Sequence, residues 1–237
     1  MMEQTPIGRV NEIHTMELVD ISRSTKPKYE MTPAQKLAYL ARVSNPANQG
    51  NHATGWKLLE TLIKRAEWSP FDLQSVTMEV LTTRDVSRQM IRHRSLTFQE
   101  FSQRYADPVN TLGFTYRKAR LQDHKNRQNS IITTDERIIA EWQDIQYRAV
   151  EVGEYLYDRA IQMGIAREVA RALLPEGLTV TRMYVHGRVR DWMFYLRLRA
   201  QKETQYEHRL VAQSGIKELL VELPDLQEFF GTVTNDE

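Results

Sequence analysis

Cysteine is absent from all 237 residues. That removes disulfides, thiolate nucleophiles, Cys-ligated zinc and iron–sulfur clusters. Glycine is sparse as well: no two of the ten glycines lie within three residues of each other. Neither a GxGxxG dinucleotide fingerprint nor a GKS/GKT phosphate loop is therefore present. No apolar run approaches the roughly 18 residues that span a bilayer. The opening MMEQTPIGRVNEIHTM lacks the apolar segment of a secretory signal. Cytoplasmic residence is the expectation, with no membrane partner. The histidines His14, His52, His93, His124, His186 and His208 show neither HxxxH nor HxH spacing, so no metal site is expected. A large basic excess is missing too, the formal net charge being +1. Nucleic acid is therefore not the expected partner.

What is present is an ordinary soluble composition, 41% hydrophobic and 27% charged, with its charge unevenly placed. From Arg84 to Arg127 there are ten Lys/Arg against four Asp/Glu, and from Asp135 to Met163 three against seven. A cationic middle beside an acidic stretch points to a concentrated anion site.

The pattern along the chain predicts one α+β domain over 1–237, with helix in excess. Met16–Ile21 reads as a strand. Thr32-Pro33-Ala34-Gln35 reads as a capped helix start, with Gln35 placed to close a capping box. A second helix is expected over about 52–66, with Trp56, Leu59, Leu62 and Ile63 at helical spacing. From Phe71 the period changes to two: Val76, Met78 and Val80 alternate with Ser75, Thr77 and Glu79, which predicts a half-buried strand. A helix over about 86–93 follows, with loop or strand by Ser102–Tyr105, then an irregular surface excursion over 107–134. Ile138, Trp142, Ile145, Ala149, Val152, Leu156, Ala160 and Met163 form a stripe about seven turns long, read as core or subunit interface. A short helix over 166–174, a strand over 179–186 and helices over 189–199 and 206–223 complete the expectation.

The chemistry concentrates in Arg92-His93-Arg94-Ser95-Leu96-Thr97-Phe98-Gln99-Glu100-Phe101-Ser102-Gln103-Arg104-Tyr105. Arginine forks pair bidentately with phosphate oxygens, and hydroxyls complete such a cradle. The residues suit a phosphorylated planar ligand; a charged surface loop is the plainer reading. Two other positions stay open on these grounds. Arg199, beside the aromatic face of Trp192 and Tyr195, either meets a ring or pairs with an acid such as Glu203. Arg171 sits near Arg167 and Glu168, where a surface ion pair would account for it.

Arg92-His93-Arg94, seven residues, then Ser102 resembles the RHR-x7-S signature of the flavin-dependent thymidylate synthases, and Gln103-Arg104-Tyr105 continues the match. Further likeness runs through Ser69-Pro70-Phe71, Arg88-Gln89, Arg167 to Arg171 with Leu174-Pro175, Gly187 with Arg190-Asp191-Trp192, Leu198-Arg199 and Gln205 to Arg209. The resemblance implies a central, mainly antiparallel sheet with long flanking helices. It implies reductive methylation of dUMP to dTMP, with methylenetetrahydrofolate as carbon donor and FAD reduced by NADPH. No cysteine nucleophile is needed for this, which suits a chain that has none.

By the same resemblance, FAD contacts fall to Ser69, Arg92, His93, Arg94, Glu100 and Arg190. Those to dUMP fall to Gln89, Arg92, Glu100, Phe101, Ser102, Gln103, Arg104, Arg171 and Arg199. Arg199 is the catalytic residue, stabilising negative charge around N3 and O2 of the uracil. Ser102, with no adjacent base, is read as a ligand. A homotetramer with shared sites is implied, the 138–163 stripe being a candidate interface. Leu73, Arg188 and Phe194 depart from the family pattern and receive no ligand role. Two alternatives remain: a single-stranded nucleic-acid-binding module using the arginine–aromatic surface, and a catalytically silent flavin-binding homologue.

Overall fold

A computed structural model describes residues 13–231; most of the opening stretch in which no export signal was expected lies outside them. In chain order the elements are β1 (Thr15–Ile21), α1 (Pro33–Ala41), α2 (Gly55–Lys64), β2 (Ser75–Thr83), α3 (Arg84–Met90), β3 (Thr97–Glu100), α4 (Pro108–Thr111), β4 (Arg120–Gln122), β5 (Ser130–Ile132), α5 (Glu136–Gln162), α6 (Arg167–Ala170), β6 (Val180–Arg188), α7 (Val189–Arg199), α8 (Tyr206–Glu222) and α9 (Gln227–Phe230). No helix among the described residues is long and apolar enough to cross a membrane.

The fold is α+β around a four-stranded sheet of order β1-β2-β6-β3, antiparallel throughout. Strand β2 pairs with β6 from Ser75↔Arg188 to Thr83↔Val180 without a break. The period-two pattern of β2 buries Val76, Met78 and Val80, and β6 adds Met183 and Val185 on the same face. Trp192 and Leu196 of α7 and Val211, Ile216 and Leu219 of α8 join these residues in one apolar core. Helix α8 lies close against edge strand β1. A Cβ on Gly215 would stand 2.3 Å from Met16 Sδ, so glycine lets the helix lie there without displacing that side chain. Side chains of α8 also satisfy the strand's outer backbone: Met16 N–H donates to Ser214 Oγ (3.1 Å) and Leu18 N–H to Glu218 Oε2 (3.1 Å), groups an edge strand otherwise leaves unpaired.

Local signals account for much of this. The capping box at α1 is present, with Thr32 Oγ1 accepting from Gln35 N–H and Gln35 Oε1 accepting from Thr32 N–H. Several expectations need correction. Helix α2 is preceded by a separate 3-10 turn, His52–Thr54. Helix α3 begins at Arg84 and ends at Met90, so Arg92–Arg94 lie in the turn beyond it. The motif's strand is Thr97–Glu100, because pairing with β6 runs only from Thr97↔His186 to Glu100↔Met183. Ser102–Tyr105 then turn, with Ser102 C=O accepting from Tyr105 N–H and Ala106 N–H. The excursion over 107–134 holds a short helix capped by Asp107 and the β4–β5 hairpin. The predicted stripe of α5 faces outward, with Ile145, Val152, Leu156 and Met163 exposed. The helix seats itself instead through Gln146, Val150, Gly153 and Tyr157.

Candidate active site

Strand β6 organises the site, because its two ends deliver the residues the motif needs. Gly187, near its C-terminal end, leaves room for the motif turn: a Cβ there would stand 2.4 Å from Leu96 Cδ2. Leu96 is buried and anchors the turn that holds Arg92, His93 and Arg94, while both arginines stay exposed. Two residues past Gly187, α7 begins and carries Arg190, Phe194, Tyr195, Leu198 and Arg199 alongside that turn.

Between the turn and α7 lies a cleft of about 200 Å³ lined by His93, Ser95, Arg190, Asp191, Phe194, Tyr195 and Leu198. Phe194 is 43% and Leu198 54% exposed, an apolar wall under a cationic rim. Phe194 is held edge-on by Trp68 (4.9 Å between ring centroids) and Phe229 (5.8 Å). At the rim Arg190 donates to Asp72 Oδ2 (2.9 Å), with Arg188 nearby at 3.5 Å. Asp72 closes the 3-10 turn that Ser69 opens.

Arg199, half-buried, meets His93 rather than Glu203. Its Nε and one Nη lie 3.0 and 2.8 Å from His93 Nε2. A guanidinium only donates, so His93 is neutral at Nε2 and carries its proton on Nδ1. Burial and the charges of Arg199 and Arg92 push the His93 pKa below its ordinary value. The His93 ring stands edge-on to Tyr195 at 4.7 Å.

Behind the cleft runs a chain of hydrogen bonds. The Tyr195 hydroxyl meets His208 Nε2 (2.8 Å), and His208 Nδ1 meets Gln89 Oε1 (3.0 Å). Gln89 Nε2 donates to Gln205 Oε1 (2.5 Å), and Gln205 Nε2 donates to Glu207 Oε2 (3.1 Å) and Asp85 Oδ2 (3.4 Å). Both acids are anchored: Arg117 donates to Asp85 at 2.7 Å, and Arg120 pairs with fully buried Glu207 at 2.7 Å. Burial alone would raise the Glu207 and Asp85 pKa values; the arginines outweigh it and hold both below the usual carboxylate range. Burial, with the charge of Arg199 adding to it, lowers the His208 pKa to about 3. Burial raises that of Tyr195 well above a free phenol.

The remaining candidates lie toward the other end of β3, about 10 Å along the strand from the arginine turn. Glu100 turns inward: its Oε1 meets Arg84 (2.7 Å), Ser87 Oγ (2.8 Å) and Thr181 Oγ1 (3.0 Å). Phe101 is half-buried and donates its N–H to Arg182 C=O. Ser102 Oγ accepts from Arg104 N–H (3.4 Å), a donor and not a base. Gln103 is buried, and Arg104 reaches Glu168 at 3.2 Å. Glu168 therefore serves Arg104, whereas Arg171, half-buried, opens a 3-10 turn after α6. One chain thus puts His93 and Arg190 in the cleft wall, Arg199 on His93 and Gln89 in the hydrogen-bond chain behind, and leaves Ser102, Gln103 and Arg104 outside the cleft. Sequence reasoning missed Tyr195, Gln205 and His208 as site residues. The available signal was the run Gln205, Glu207, His208 opening a helix whose next turns are apolar.

Residues 27–225 match the family described as thymidylate synthase complementing protein. The chain is 42% identical over 204 residues to a probable flavin-dependent thymidylate synthase of Paramecium bursaria Chlorella virus 1, covering 85% of this chain and 93% of that one. It is 40% identical over 194 residues to the flavin-dependent thymidylate synthase of Synechocystis sp., covering 82% and 87%. A similar solved structure is the UMP/dUMP methylase PolB from Streptomyces cacaoi bound with 5-Br dUMP. It has a TM-score of 0.74 at 26% identity, covering 91% of this chain and 94% of that one.

Proposed function

Because this chain belongs to the flavin-dependent thymidylate synthase family, we propose that it methylates dUMP reductively to dTMP. Methylenetetrahydrofolate is the carbon donor, and NADPH reduces the bound FAD. The observation that carries this reading is the arginine turn facing the α7 cleft: an apolar wall under a cationic rim fits a planar, anionic ligand. About 200 Å³ is less than a whole dinucleotide occupies, so one chain supplies part of the cradle. A cytoplasmic homotetramer, its sites shared between subunits, supplies the rest, and the exposed stripe of α5 suits such an interface.

In this reading Arg92, His93, Arg94 and Arg190 hold the flavin, with Ser69 at the rim. When bound, the flavin supplies the hydride that turns a transferred methylene into a methyl group. Gln89, Phe101, Ser102, Gln103, Arg104 and Arg171 hold dUMP, the arginines at its phosphate. Arg104 exchanges Glu168 for that phosphate, a stronger bidentate acceptor. Arg199 keeps N–H donors beyond the two it gives to His93 and turns them to the uracil, where they stabilise charge at N3 and O2. Glu100 acts indirectly in this scheme. Held by Arg84, Ser87 and Thr181, it fixes the end of β3 and so the backbone of Phe101 and Ser102.

The test is release of the C5 hydrogen of dUMP in the presence of FAD, NADPH and methylenetetrahydrofolate. FAD binding without hydrogen release would leave a silent homologue. No flavin, with steeply salt-dependent oligonucleotide binding, would favour the nucleic-acid module. Within the proposal, Arg199→Ala lowers turnover by about 10²- to 10³-fold and keeps its flavin, whereas Arg94→Ala loses flavin first. Equal flavin loss in both variants, read by absorbance after gel filtration, would show the two arginines misassigned.

A further inference from the structure

The hydrogen-bond chain behind the cleft has a direction, and its anchored end sets it. Asp85 and Glu207 are carboxylates locked to Arg117 and Arg120, so they only accept. Gln205 must then present its NH2 to them, at 3.4 and 3.1 Å, and its carbonyl to Gln89. Gln89 must in turn direct its NH2 to Gln205 and its carbonyl to His208. That obliges His208 to carry its proton on Nδ1, leaving Nε2 to accept from the Tyr195 hydroxyl. Reversing any one link sets donor against donor or acceptor against acceptor, a buried mismatch that costs the full desolvation of the group. His208 is fully buried.

We propose that Gln205, His208 and Tyr195 are positioning residues that fix the orientation of the Gln89 side-chain amide, so that Gln89 offers one N–H and one carbonyl lone pair, in a set order, to dUMP. An amide has two N–H donors and two carbonyl lone pairs, and the chain uses one of each. The unused pair is one donor and one acceptor in a fixed order, and an amide turned over would present them to the nucleotide exchanged. The inference rests on the reading that Gln89 meets dUMP. It adds that the nucleotide's orientation is set from the acid-anchored start of α8, through side chains that do not touch it.

Two measurements on the full-length, FAD-loaded protein test this. In ¹⁵N-histidine-labelled wild type, two-bond imidazole couplings should report a neutral His208 protonated at Nδ1; protonation at Nε2 overturns the proposal. In the second, His208→Leu should weaken dUMP binding about tenfold, the scale of one lost hydrogen bond, with flavin retention unchanged. His208→Asn, whose amide can donate from the place of Nδ1, should recover most of that loss. Equal dUMP affinity in wild type, His208→Leu and His208→Asn overturns the proposal, as does parallel loss of flavin and dUMP in both variants. A wild type that binds FAD but no dUMP overturns the functional reading instead, a result the tautomer measurement keeps distinct from failure of the chain.

Discussion

Helices α5 and α8 are built in opposite senses. Helix α5 has 27 residues and a long apolar stripe, yet buries four residues, one of them Gln146 and one Gly153. Helix α8 has 17 residues and buries nine, including Glu207, His208 and Gln213. The stripe with the cleaner periodicity faces outward, and the helix that buries a carboxylate, Glu207, in its first turn lies inside. Amphipathic spacing reports that a helix has an apolar face, not which body covers it. A buried polar helix end, by contrast, is tolerated only where every group finds a partner. Around Glu207 and His208 those partners come from α3, α7 and the β4 strand.

The contrast can be broken most forcefully at Leu219, fully buried in the core beneath α8. Leu219→Ala should cost about 2–5 kcal/mol of stability, read as a lower urea midpoint at constant m. A loss under about 1 kcal/mol would mean that α8 is less embedded than its packing indicates. Acid should come next. His208 and His14 have pKa values lowered to about 3 and about 4 from 6.5, in both cases chiefly by burial. The folded state therefore keeps them neutral while the unfolded chain takes up protons below about pH 6.5. Stability is fully present above that pH and falls as pH drops toward 4, by up to about 1.4 kcal/mol per pH unit for each histidine. Asp85 and Glu207, depressed in turn, add to the loss only at lower pH. His208→Asn should roughly halve the slope between pH 6 and 4.5; an unchanged slope would place the acid sensitivity elsewhere. The smallest expected effect is on α5. Leu156→Ser should shift the stability of the chain by less than about 0.5 kcal/mol, yet lower the assembly mass in light scattering. A full-size assembly would show that the stripe is not an interface.

What could be read from the sequence divides along the same line. Signals that act within a few residues were legible: the Thr32–Gln35 capping box, the alternation of Val76, Met78 and Val80, and the limits of α7 and α8. The family resemblance named His93 and Arg190, which line one cleft, and Arg199, which bonds to His93. Where the reading failed, partners distant in sequence decide. Ser102–Tyr105 stayed open as loop or strand; they turn because β3 leaves β6 after Glu100, and that limit depends on residues 183–186. The β4–β5 hairpin carries exposed Leu121, Ile131 and Ile132, which follow no buried face and leave no alternation to detect. The resemblance named Glu100 as a ligand, and nothing local in the sequence foretold the protein partners its carboxylate takes. Its neighbours Arg84 and Ser87 come from α3 and Thr181 from β6, and they draw its carboxylate inside.

The unbroken β2–β6 pairing also has a consequence for how this chain can change over time. Strand β6 is the ruler between two segments of the motif, with Met183 opposite Glu100 at one mark and Gly187 under Leu96 at the other. A single residue inserted in β6 would turn one of those marks to the wrong face of the sheet while leaving the other correct. Loops such as the β4–β5 excursion can lengthen or shorten freely, but the interval from Met183 to Gly187 is held to one length. Descendants of this sequence can vary what they bind at either mark only by changing side chains, never the spacing.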